Sequence, residues 1–592
     1  MAHQTVQEHS LSQPLHPLQS AAASGADHLR VDGVSRIYPD RRVLTDVSFV
    51  VSAGEIACVI GENGSGKSTL LRILAGLDRP DAGSVQAPGT VGLYHQEPPY
   101  PLDLTVDQVL RDATAPVRAM AARVEREGLA LADGDQGAAA RLDAAIEDAH
   151  RHHAWDLDHR VDRVVAGLGI GHLTRDRRAS ELSGGQVSRL SLAWLLLRSP
   201  DTLLLDEPTN HLDAAATELL VELLRTWSGP VLVASHDRAF IDEAATTLLD
   251  LDPAPVAHAA VAHDQGSPGS GFGVTRFGGS YTDYLASRRE KLERWARHYR
   301  DEQDELNRLR ARVREDHTVG NPSRGPRTEA RGSKKFYSDR NAKVVSRRVN
   351  DASTALERLE AEQVRRPPAR LRFRGFRDPA SSGGRVGGPQ RSGPQGSGPV
   401  LTATGVAVTG RLAPTSLSLG ARSRLLVTGP NGSGKSTLLA VLADVLAPDA
   451  GALTRDSRLR IGLLAQEPPV VDPGLSVRAA YAAAVGEALA ERVPLSTHGL
   501  VAGRDADRPV GALSVGQRRR LDLATVLADP PDVLLLDEPT NHLSLLLVTE
   551  LERALLDYPG AVVIASHDRW LSAGWSGERL RLEDEAGGPA YD

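Results

Sequence analysis

The feature that most constrains this chain is the repetition of a glycine-rich loop. Residues 61–69 read GENGSGKST and residues 429–437 read GPNGSGKST, and each loop follows an apolar strand pattern and opens an apolar helix pattern. Successive backbone N–H groups and the helix N-terminus in such a loop cradle phosphate groups, and glycine is needed because side chains would block the approach. The repeat therefore predicts two phosphate-binding domains of one fold.

Three further segments repeat in register with the loops. LSGGQ at 182–186 corresponds to LSVGQ at 513–517, LLLDEPTNHL at 203–212 recurs at 534–543, and SHDR at 235–238 recurs at 566–569. In both halves 23 residues separate the signature serine from the acidic aspartate, and 30 separate that aspartate from the histidine. A chain of 592 residues is too long for one core, so we expect two tandem α/β domains plus insertions.

Segments outside the repeat complete the predicted organisation. In chain order we expect a disordered tail at 1–27, a first phosphate-binding domain at 28–282 with a helical arm at about 103–180, a basic helical hairpin linker at 283–366, a flexible Gly/Pro/Ser-rich tether at 367–399 and a second phosphate-binding domain at 400–592. No apolar stretch reaches the roughly 18 residues of a membrane span, and residues 1–27 lack the apolar run of a secretion signal. Cys58, on an apolar strand, is expected in the core.

The loop residues predict one site for ATP and Mg²⁺ in each half. The lysines of the two loops are expected to reach the outer phosphates, and the serines that follow them offer a hydroxyl to the metal ion. The loop residues expected to bind ATP are Gly61, Asn63, Gly64, Ser65, Gly66, Lys67, Ser68 and Thr69 in the first half and Gly429, Asn431, Gly432, Ser433, Gly434, Lys435, Ser436 and Thr437 in the second.

Paired acidic residues complete each predicted site. Asp206 and Asp537 end apolar strands, where a carboxylate can hold Mg²⁺. Glu207 and Glu538 follow them directly and are placed to orient or deprotonate the attacking water. We therefore expect both halves to carry the groups that ATP hydrolysis requires.

His236 and His567 follow a second apolar strand at identical spacing. A lone histidine at a strand end is usually structural, but its repetition favours contact with the γ-phosphate. Together the phosphate loops, the LSGGQ segment, the acidic strand and the histidine resemble the ATP-binding cassette family over nearly all of both halves. In that family two cassettes pair head to tail, so that each ATP lies between one phosphate loop and the opposite signature. The resemblance implies an ATPase that pairs its two cassettes within one monomer.

The resemblance also assigns further residues to the nucleotides. Those expected to serve the ATP held by Lys435 are Ser183, Gly184, Gly185 and Gln186, and those expected to serve the ATP held by Lys67 are Ser514, Gly516 and Gln517. Gln96 and Gln466 match the family's metal-sensing glutamine. The expected Mg²⁺ set is therefore Ser68, Gln96, Asp206, Ser436, Gln466 and Asp537. Tyr38 matches the aromatic residue that stacks on adenine, although a strand-edge aromatic is the alternative.

Three departures from the family pattern make the halves unequal. Val515 stands where the family has the first signature glycine, and Ser544 stands where the first half has Asp213. The second half also has no aromatic equivalent of Tyr38. Because both glutamates remain, we expect two competent but unequal sites.

The linker predicts two antiparallel helices with a basic connection. Apolar residues recur every seven positions at Leu285, Leu292, Tyr299, Leu306 and Val313, and a second series comprises Val345, Val349, Ala352, Leu356 and Leu359. Residues 324–349 contain nine Lys or Arg against two acidic residues, in a chain of net charge −7. A solvated charged face is the plainer interpretation, but neighbouring aromatics favour RNA binding. The expected RNA contacts are Arg324, Arg327, Arg331, Lys334, Lys335, Phe336, Tyr337, Arg340 and Lys343.

This layout resembles the ABC-F subfamily, which acts on the ribosome, and especially its members that protect ribosomes from antibiotics. The resemblance implies a cytoplasmic ATPase that binds large-subunit rRNA and tRNA near the exit and peptidyl-tRNA sites. It would bind in its ATP form, dislodge a large-subunit antibiotic, and leave on hydrolysis. A housekeeping translation factor with the same cassettes is one alternative. The ATPase component of a drug exporter with a separate membrane subunit is another.

Overall fold

The computed structural model describes 28–38, 41–61, 64–95, 97–210, 212–252, 272–315, 347, 350–364, 367, 399–430, 432–466, 471–501, 503–540, 545–582 and 590–591. Several sequence predictions fall outside these described residues. They are the tail at 1–27, most of the tether, all nine expected RNA contacts, Asn63, Gln96, Val345, Val349, Asn431 and Ser544.

The first half combines a three-stranded antiparallel sheet, a six-stranded sheet and flanking helices. Its strands are β1 (His28–Tyr38), β2 (Arg41–Ser52), β3 (Ile56–Ile60), β4 (Ala82–Gln86), β5 (Val91–Tyr94), β6 (Thr202–Asp206), β7 (Val231–Ala234), β8 (Thr247–Asp250) and β9 (Thr275–Phe277). Its helices are α1 (Lys67–Leu74), α2 (Val106–Ala132), α3 (Ala138–Arg151), α4 (Leu157–Gly167), α5 (Gly184–Arg198), α6 (Ala214–Arg225) and α7 (Arg238–Ala244).

The central strand β3 shows why the six-stranded sheet is covered on both faces. Ile56, Cys58 and Ile60 join the core under the flanking helices, whereas Ala57 and Val59 join the core facing the three-stranded sheet. Side chains alternate along a strand, so an uninterrupted apolar strand needs cover on both sides. The core location predicted for the cysteine is confirmed, and burial raises the pKa of its thiol to about 12.

Sheet order brings the repeated motifs together. The larger sheet runs β5-β6-β7-β3-β8-β9, with β9 alone antiparallel to its neighbour. The glycine loop follows β3, the acidic pair lies at the end of β6, and the histidine follows β7. Because neighbouring parallel strands end at one edge of a sheet, these three segments meet there.

The helical arm predicted in the first half consists largely of two helices that pack on each other. A capping box of Thr105 and Gln108 begins α2, and the chain turns between α2 and α3 at Gly134, whose φ is 82°. An ion pair of 3.3 Å joins Arg123 of α2 to Asp148 of α3.

The linker helices are antiparallel in the described residues. Helix α8 (Tyr281–Glu315) runs alongside α9, which comprises residues 350–362. Gln303 contacts Gln363 at 3.2 Å, and Arg310 pairs with Glu360 at 2.8 Å, so positions later in α8 face positions earlier in α9. Beyond Tyr281 and Tyr284 at its start, the buried apolar residues along α8 are Leu292, Trp295, Leu306 and Leu309. The described pairs therefore form the base of a helical hairpin.

The base of α8 is part of the first half's core. Tyr281 and Tyr284 are buried there, and the Tyr284 hydroxyl donates to Oδ2 of Asp250 at 2.9 Å. Arg288 pairs with the same carboxylate at 3.2 Å. Burial and the neighbouring charge of Asp252 raise the pKa of Asp250 to about 6. The sequence-based boundary at 282/283 thus falls within a continuous helix, because both tyrosines need the cover of the core.

The second half repeats the first. Its strands are β10 (Leu401–Val408), β11 (Leu412–Leu419), β12 (Arg424–Thr428), β13 (Ala450–Arg455), β14 (Ile461–Leu464), β15 (Val533–Asp537), β16 (Ala561–Ala565), β17 (Glu578–Arg581) and β18 (Ala590–Tyr591). Its helices are α10 (Lys435–Leu442), α11 (Val477–Val485), α12 (Glu487–Arg492), α13 (Val515–Ala528), α14 (Leu545–Leu556) and α15 (Arg569–Gly574). The sheet orders β11-β10-β13 and β14-β15-β16-β12-β17-β18 match the first half. The α/β class with a helical linker is confirmed. Among the helices described, none is long and apolar enough to cross a membrane.

Candidate functional site

A cavity of about 350 Å³ lies between the two halves beside the first glycine loop. From the first half it is lined by residues that include Gly66, Lys67, Ser68, Asp206, Glu207 and His236. From the second half it is lined by residues that include Ser514, Val515, Gly516, Thr540, His567 and Asp568. The structure therefore brings the loop, acidic pair and histidine of one half to the signature of the other.

Each glycine loop is shaped by a residue in the left-handed region. Gly66 precedes α1 with φ 99°, and Gly434 precedes α10 with φ 91°. A Cβ on Gly66 would lie 2.7 Å from a methyl carbon of Leu44, so a side chain there would be both strained and obstructed. The loop is thereby held closely against its own sheet, with its backbone N–H groups at the start of the helix.

The two lysines are buried and folded back on their loops. Nζ of Lys67 donates to the carbonyl of Gly61 at 2.9 Å, and Nζ of Lys435 donates to that of Gly429 at the same distance. The buried hydroxyls of Ser65 and Ser433 have no hydrogen-bond partner among the residues described. Matching buried hydroxyls at the same place in both loops fit a ligand rich in oxygen atoms.

The hydroxyl and carboxylate expected to hold Mg²⁺ meet in each half. Ser68 is hydrogen-bonded to Asp206, and Ser436 to Asp537. Burial raises the pKa of both carboxyl groups, and Oδ1 of Asp537 has no hydrogen-bond partner within the described part of the chain. Hydroxyl and carboxylate oxygens suit Mg²⁺. Gln466, two residues after β14, is exposed. No group of three His, Cys, Asp or Glu side chains suited to a metal occurs among the described residues.

Both glutamates occupy an unusual backbone conformation. Glu207 has φ 49° and Glu538 has φ 46°, a region that non-glycine residues adopt at a cost of about 1–3 kcal/mol. Burial raises the pKa of Glu207 to about 8. The backbone N–H of His236 donates to Oε2 of Glu207 at 3.1 Å, and Nδ1 of His567 lies 2.8 Å from Oε1 of Glu538. Each predicted histidine therefore lies against its predicted glutamate.

Family comparison agrees with this geometry. A family model described as "ABC transporter" matches residues 44–210 and again 412–541, which together make up half of the chain. This chain belongs to the ATP-binding cassette family. Its repeated halves are therefore cassettes, and the chain is an ATP-binding ATP hydrolase.

Curated relatives identify the subfamily. The chain is 39% identical over 581 residues to the tylosin resistance ATP-binding protein TlrC of Streptomyces fradiae, with 95% of this chain and 98% of that protein covered. It is 31% identical to the energy-dependent translational throttle protein EttA of Mycobacterium tuberculosis, covering 91% and 88% respectively. The predicted ABC-F subfamily is confirmed by these relatives.

A solved structure shares the tandem fold. One chain of the crystal structure of the complex of archaeal ribosomal stalk protein aP1 and archaeal ribosome recycling factor aABCE1 aligns with a TM-score of 0.53. The two sequences are 18% identical, and the alignment covers 96% of this chain and 91% of the other. The likeness supports the tandem cassette architecture.

The two signatures begin their helices in the same way. The hydroxyl of Ser183 accepts from the backbone N–H of Gln186, whose side chain accepts from the serine N–H in return. Ser514 and Gln517 make the same reciprocal pair at the start of α13. The oxygen of each glutamine side chain is thus used to cap its helix.

The two signatures differ in their surroundings. Val515 lines the cavity of the Lys67 site and is 54% exposed, so its isopropyl group stands in the space beside the first loop. Gly184, its counterpart, is exposed and has open space around a Cβ position. The departure noticed in the sequence therefore falls at the interface between the cassettes.

Tyr38 lies at the end of β1, half-buried against the core beside the three-stranded sheet. The guanidinium of Arg36 lies 5.1 Å from the centre of its ring. An aromatic ring braced by a cation on one side suits a flat base on the other. The structure leaves the predicted stacking role as a proposal.

Sequence reasoning missed two buried arginines, Arg238 and Arg519. Arg519 lies within α13 and donates to the carbonyl of Gln466 at 3.2 Å and to those of Asp537 and Glu538. Ser188 stands at the equivalent position of the first cassette. Alignment of the two repeats places this arginine at a position where the first cassette has a serine. That difference within the signature helix was a signal in the sequence that could have identified Arg519.

Proposed function

We propose that this chain is a cytoplasmic ABC-F ATPase that binds the ribosome in its ATP-bound form and protects it from a large-subunit antibiotic. The observation that carries the proposal is the match to a tylosin resistance protein over 98% of that protein's length. Tylosin is therefore the first drug to test. Hydrolysis of ATP would drive release from the ribosome.

The site geometry supports an ATP-gated cycle. Lys67 and the second signature face one cavity, so a nucleotide there would join the two cassettes. Glu207 and Glu538 would orient or deprotonate the attacking water, with His236 and His567 at the γ-phosphate. The remaining predicted loop and signature residues would hold the nucleotides. Mg²⁺, held by the Ser68–Asp206 and Ser436–Asp537 pairs with Gln96 and Gln466, would neutralise charge that develops on the phosphates.

The contacts at the base of the linker would connect closure of the two cassettes to movement of the hairpin. Strand β8 pairs with β3, the strand that enters the first glycine loop, through Ile60 and Asp250. The same Asp250 accepts the hydroxyl hydrogen bond of Tyr284 in α8. Movement of the first cassette would therefore carry α8 with it. ATP-driven closure would aim the far end of the hairpin.

The basic residues 324–343 would contact RNA. Their positive charge contrasts with the acidic chain as a whole, and Phe336 and Tyr337 offer rings for base stacking. The proposed partners are large-subunit rRNA and tRNA near the exit and peptidyl-tRNA sites. The chain would bind them as a monomer. Contact of these residues with RNA would displace the antibiotic either directly or through a shift of rRNA.

A housekeeping role in translation is a second candidate. The 31% identity to a translational throttle protein over 88% of its length favours it. Drug susceptibility of cells with and without the protein separates the two roles, because a housekeeping factor would leave susceptibility unchanged.

Ribosome binding by a hydrolysis-blocked variant tests the proposed cycle. Glu207→Gln combined with Glu538→Gln should accumulate on ribosomes in ATP, because the closed state forms and persists. Sedimentation through sucrose with and without ATP measures this. Glu578→Gln, at an exposed glutamate of β17, is the matched control and should behave as wild type. If equal amounts of the double variant and the wild type sediment with ribosomes in ATP, the proposed mechanism is wrong.

A further inference from the structure

A buried arginine crosses the interface between the cassettes. Arg238, the first residue of α7, has a side chain only 2% exposed. Its guanidinium contacts both carboxylate oxygens of Glu552 in α14, with the Nη1–Oε2 distance 3.0 Å. It also donates to Oδ2 of Asp568 at 3.1 Å and lies 5.5 Å from the ring centre of Trp570. One side chain of the first cassette is therefore held by three of the second.

The contacts of Arg238 reach the catalytic neighbourhood of both ATP sites. Two residues before it, His236 lies against Glu207. Asp568 directly follows His567, which contacts Glu538, and its carboxylate also caps α15 by accepting the N–H of Trp570 at 2.8 Å. A path of contacts and residues close in the chain therefore joins the two sites. It passes through Glu207, His236, Arg238, Asp568, His567 and Glu538.

The second cassette does not reproduce this arrangement. Arg569, the counterpart of Arg238 in the shared SHDR segments, pairs with Glu243 at 2.9 Å and with Glu218 at 3.3 Å, and its side chain is 29% exposed. Val221 stands in α6 where Glu552 stands in α14. Because Val221 has no carboxylate, Arg569 cannot form the counterpart of the buried two-pronged Arg238–Glu552 pair.

Burial makes the Arg238 cluster unusually sensitive to geometry. Charges removed from water are stable only when closely paired, and removal of one partner is strongly unfavourable. Exposed pairs such as those of Arg569 are weaker and tolerate movement. Displacement of the start of α7 would therefore be resisted by Glu552 and Asp568, and would be passed on to the start of α15.

We propose that Arg238 is a positioning residue that couples the two ATP sites, because it fixes the segment around His236 to the segment around His567. ATP binding at the Lys67 site would thereby set the geometry at the Lys435 site, and the reverse would also hold. The inference rests on the proposed assignment of the two ATP sites. It is independent of any action on the ribosome.

ATP hydrolysis as a function of ATP concentration tests the coupling. The wild type should show a Hill coefficient clearly above 1, up to the limit of about 2 for two sites. Arg238→Lys should bring the coefficient to about 1 while hydrolysis continues, and Glu552→Gln, which leaves the Arg238–Asp568 pair in place, should lower it by a smaller amount. Lysine loses the two-pronged contact. The matched control Arg569→Lys should keep the wild-type coefficient.

The outcomes separate the coupling from the site assignment. Glu207→Gln and Glu538→Gln should each lower ATP turnover, and if neither does, the site assignment fails and the coupling falls with it. If both do, but Arg238→Lys and Glu552→Gln keep the wild-type Hill coefficient, the coupling alone is wrong. A coefficient of about 1 in the wild type would also overturn it. Because Glu552→Gln leaves Arg238 paired with Asp568, it provides a milder test should Arg238→Lys fold poorly.

Discussion

The Nδ1 atom of His567 lies 2.8 Å from Oε1 of Glu538. Burial lowers the pKa of His567, but the hydrogen bond and charge of Glu538 raise it by more, and the net direction is upward. In the first cassette Nε2 of His236 lies 3.4 Å from Oε1 of Glu207, and burial raises the pKa of that glutamate to about 8. The two sites therefore differ in the contact between histidine and glutamate, the groups proposed to act at the γ-phosphate and on the attacking water.

The raised pKa of Glu207 predicts a pH-dependent effect on stability. Between its ordinary value of 4.5 and about 8, the folded protein binds a proton that the unfolded chain does not. The stability that protonated Glu207 contributes is fully present below pH 4.5 and is lost as the pH rises through the folded-state pKa of about 8. Glu207→Gln should therefore gain more in Tm over wild type at about pH 9 than at about pH 5, measured by calorimetry without nucleotide. An equal gain at both pH values would contradict the assignment.

Val515→Gly should improve the Lys67 site. Removal of the isopropyl group lets the signature backbone approach the phosphates more closely, while a glycine at the first turn of α13 costs at most about 1 kcal/mol of stability. In a Glu538→Gln background we expect KM for ATP to fall by up to about tenfold. Gly184→Val is the reciprocal control and should raise KM in a Glu207→Gln background. An unchanged KM for Val515→Gly would show that the valine does not obstruct the site.

Arg519→Ser should weaken the second cassette. The substitution removes charged hydrogen bonds to the carbonyls of Gln466, Asp537 and Glu538, and we expect a loss of about 2–4 kcal/mol in unfolding free energy. Turnover in a Glu207→Gln background should fall as well. The counterpart change Ser188→Ala removes the 2.5 Å contact with the Tyr94 hydroxyl and should cost less, about 1 kcal/mol. Denaturant unfolding checks both, and similar losses would contradict the account.

Tyr38→Ala tests the proposed adenine contact. Loss of ring stacking of about 1 kcal/mol should raise KM for ATP about fivefold at the Lys67 site, measured with Glu538→Gln present. Tyr38→Phe keeps the ring and should retain wild-type KM. If the alanine variant binds ATP and GTP as tightly as wild type does, Tyr38 is a strand-edge aromatic without a nucleotide role.

The repeats made the fold and most of the site predictable. Identical spacing between loop, signature, acidic strand and histidine required one topology twice, and neighbouring parallel strands then placed Lys67, Asp206 and His236 at one sheet edge. The heptads of the linker likewise predicted antiparallel helices, which the Arg310–Glu360 pair supports in the described residues.

What the sequence could not show depended on contacts between distant segments. Arg238 and Arg569 each follow the same Ser-His-Asp segment, so the preceding residues do not distinguish them. Arg238 meets Glu552 only because the two cassettes pack together, and the counterpart of Glu552 in α6 is Val221. The predicted linker boundary at 282/283 also depended on local sequence alone. Helical periodicity continues through Tyr281 and Tyr284, and burial in the first core rather than periodicity decides where the cassette ends.

Cell-free translation in the presence of an antibiotic tests the central claim most directly. Purified protein with ATP should restore translation inhibited by tylosin or by another member of a panel of large-subunit antibiotics. The Glu207→Gln, Glu538→Gln double variant should fail to sustain it, because release requires hydrolysis, and Glu578→Gln should act as wild type. Restoration for at least one drug class is the predicted result. Failure of the wild-type protein to restore translation with any drug of the panel would contradict the account.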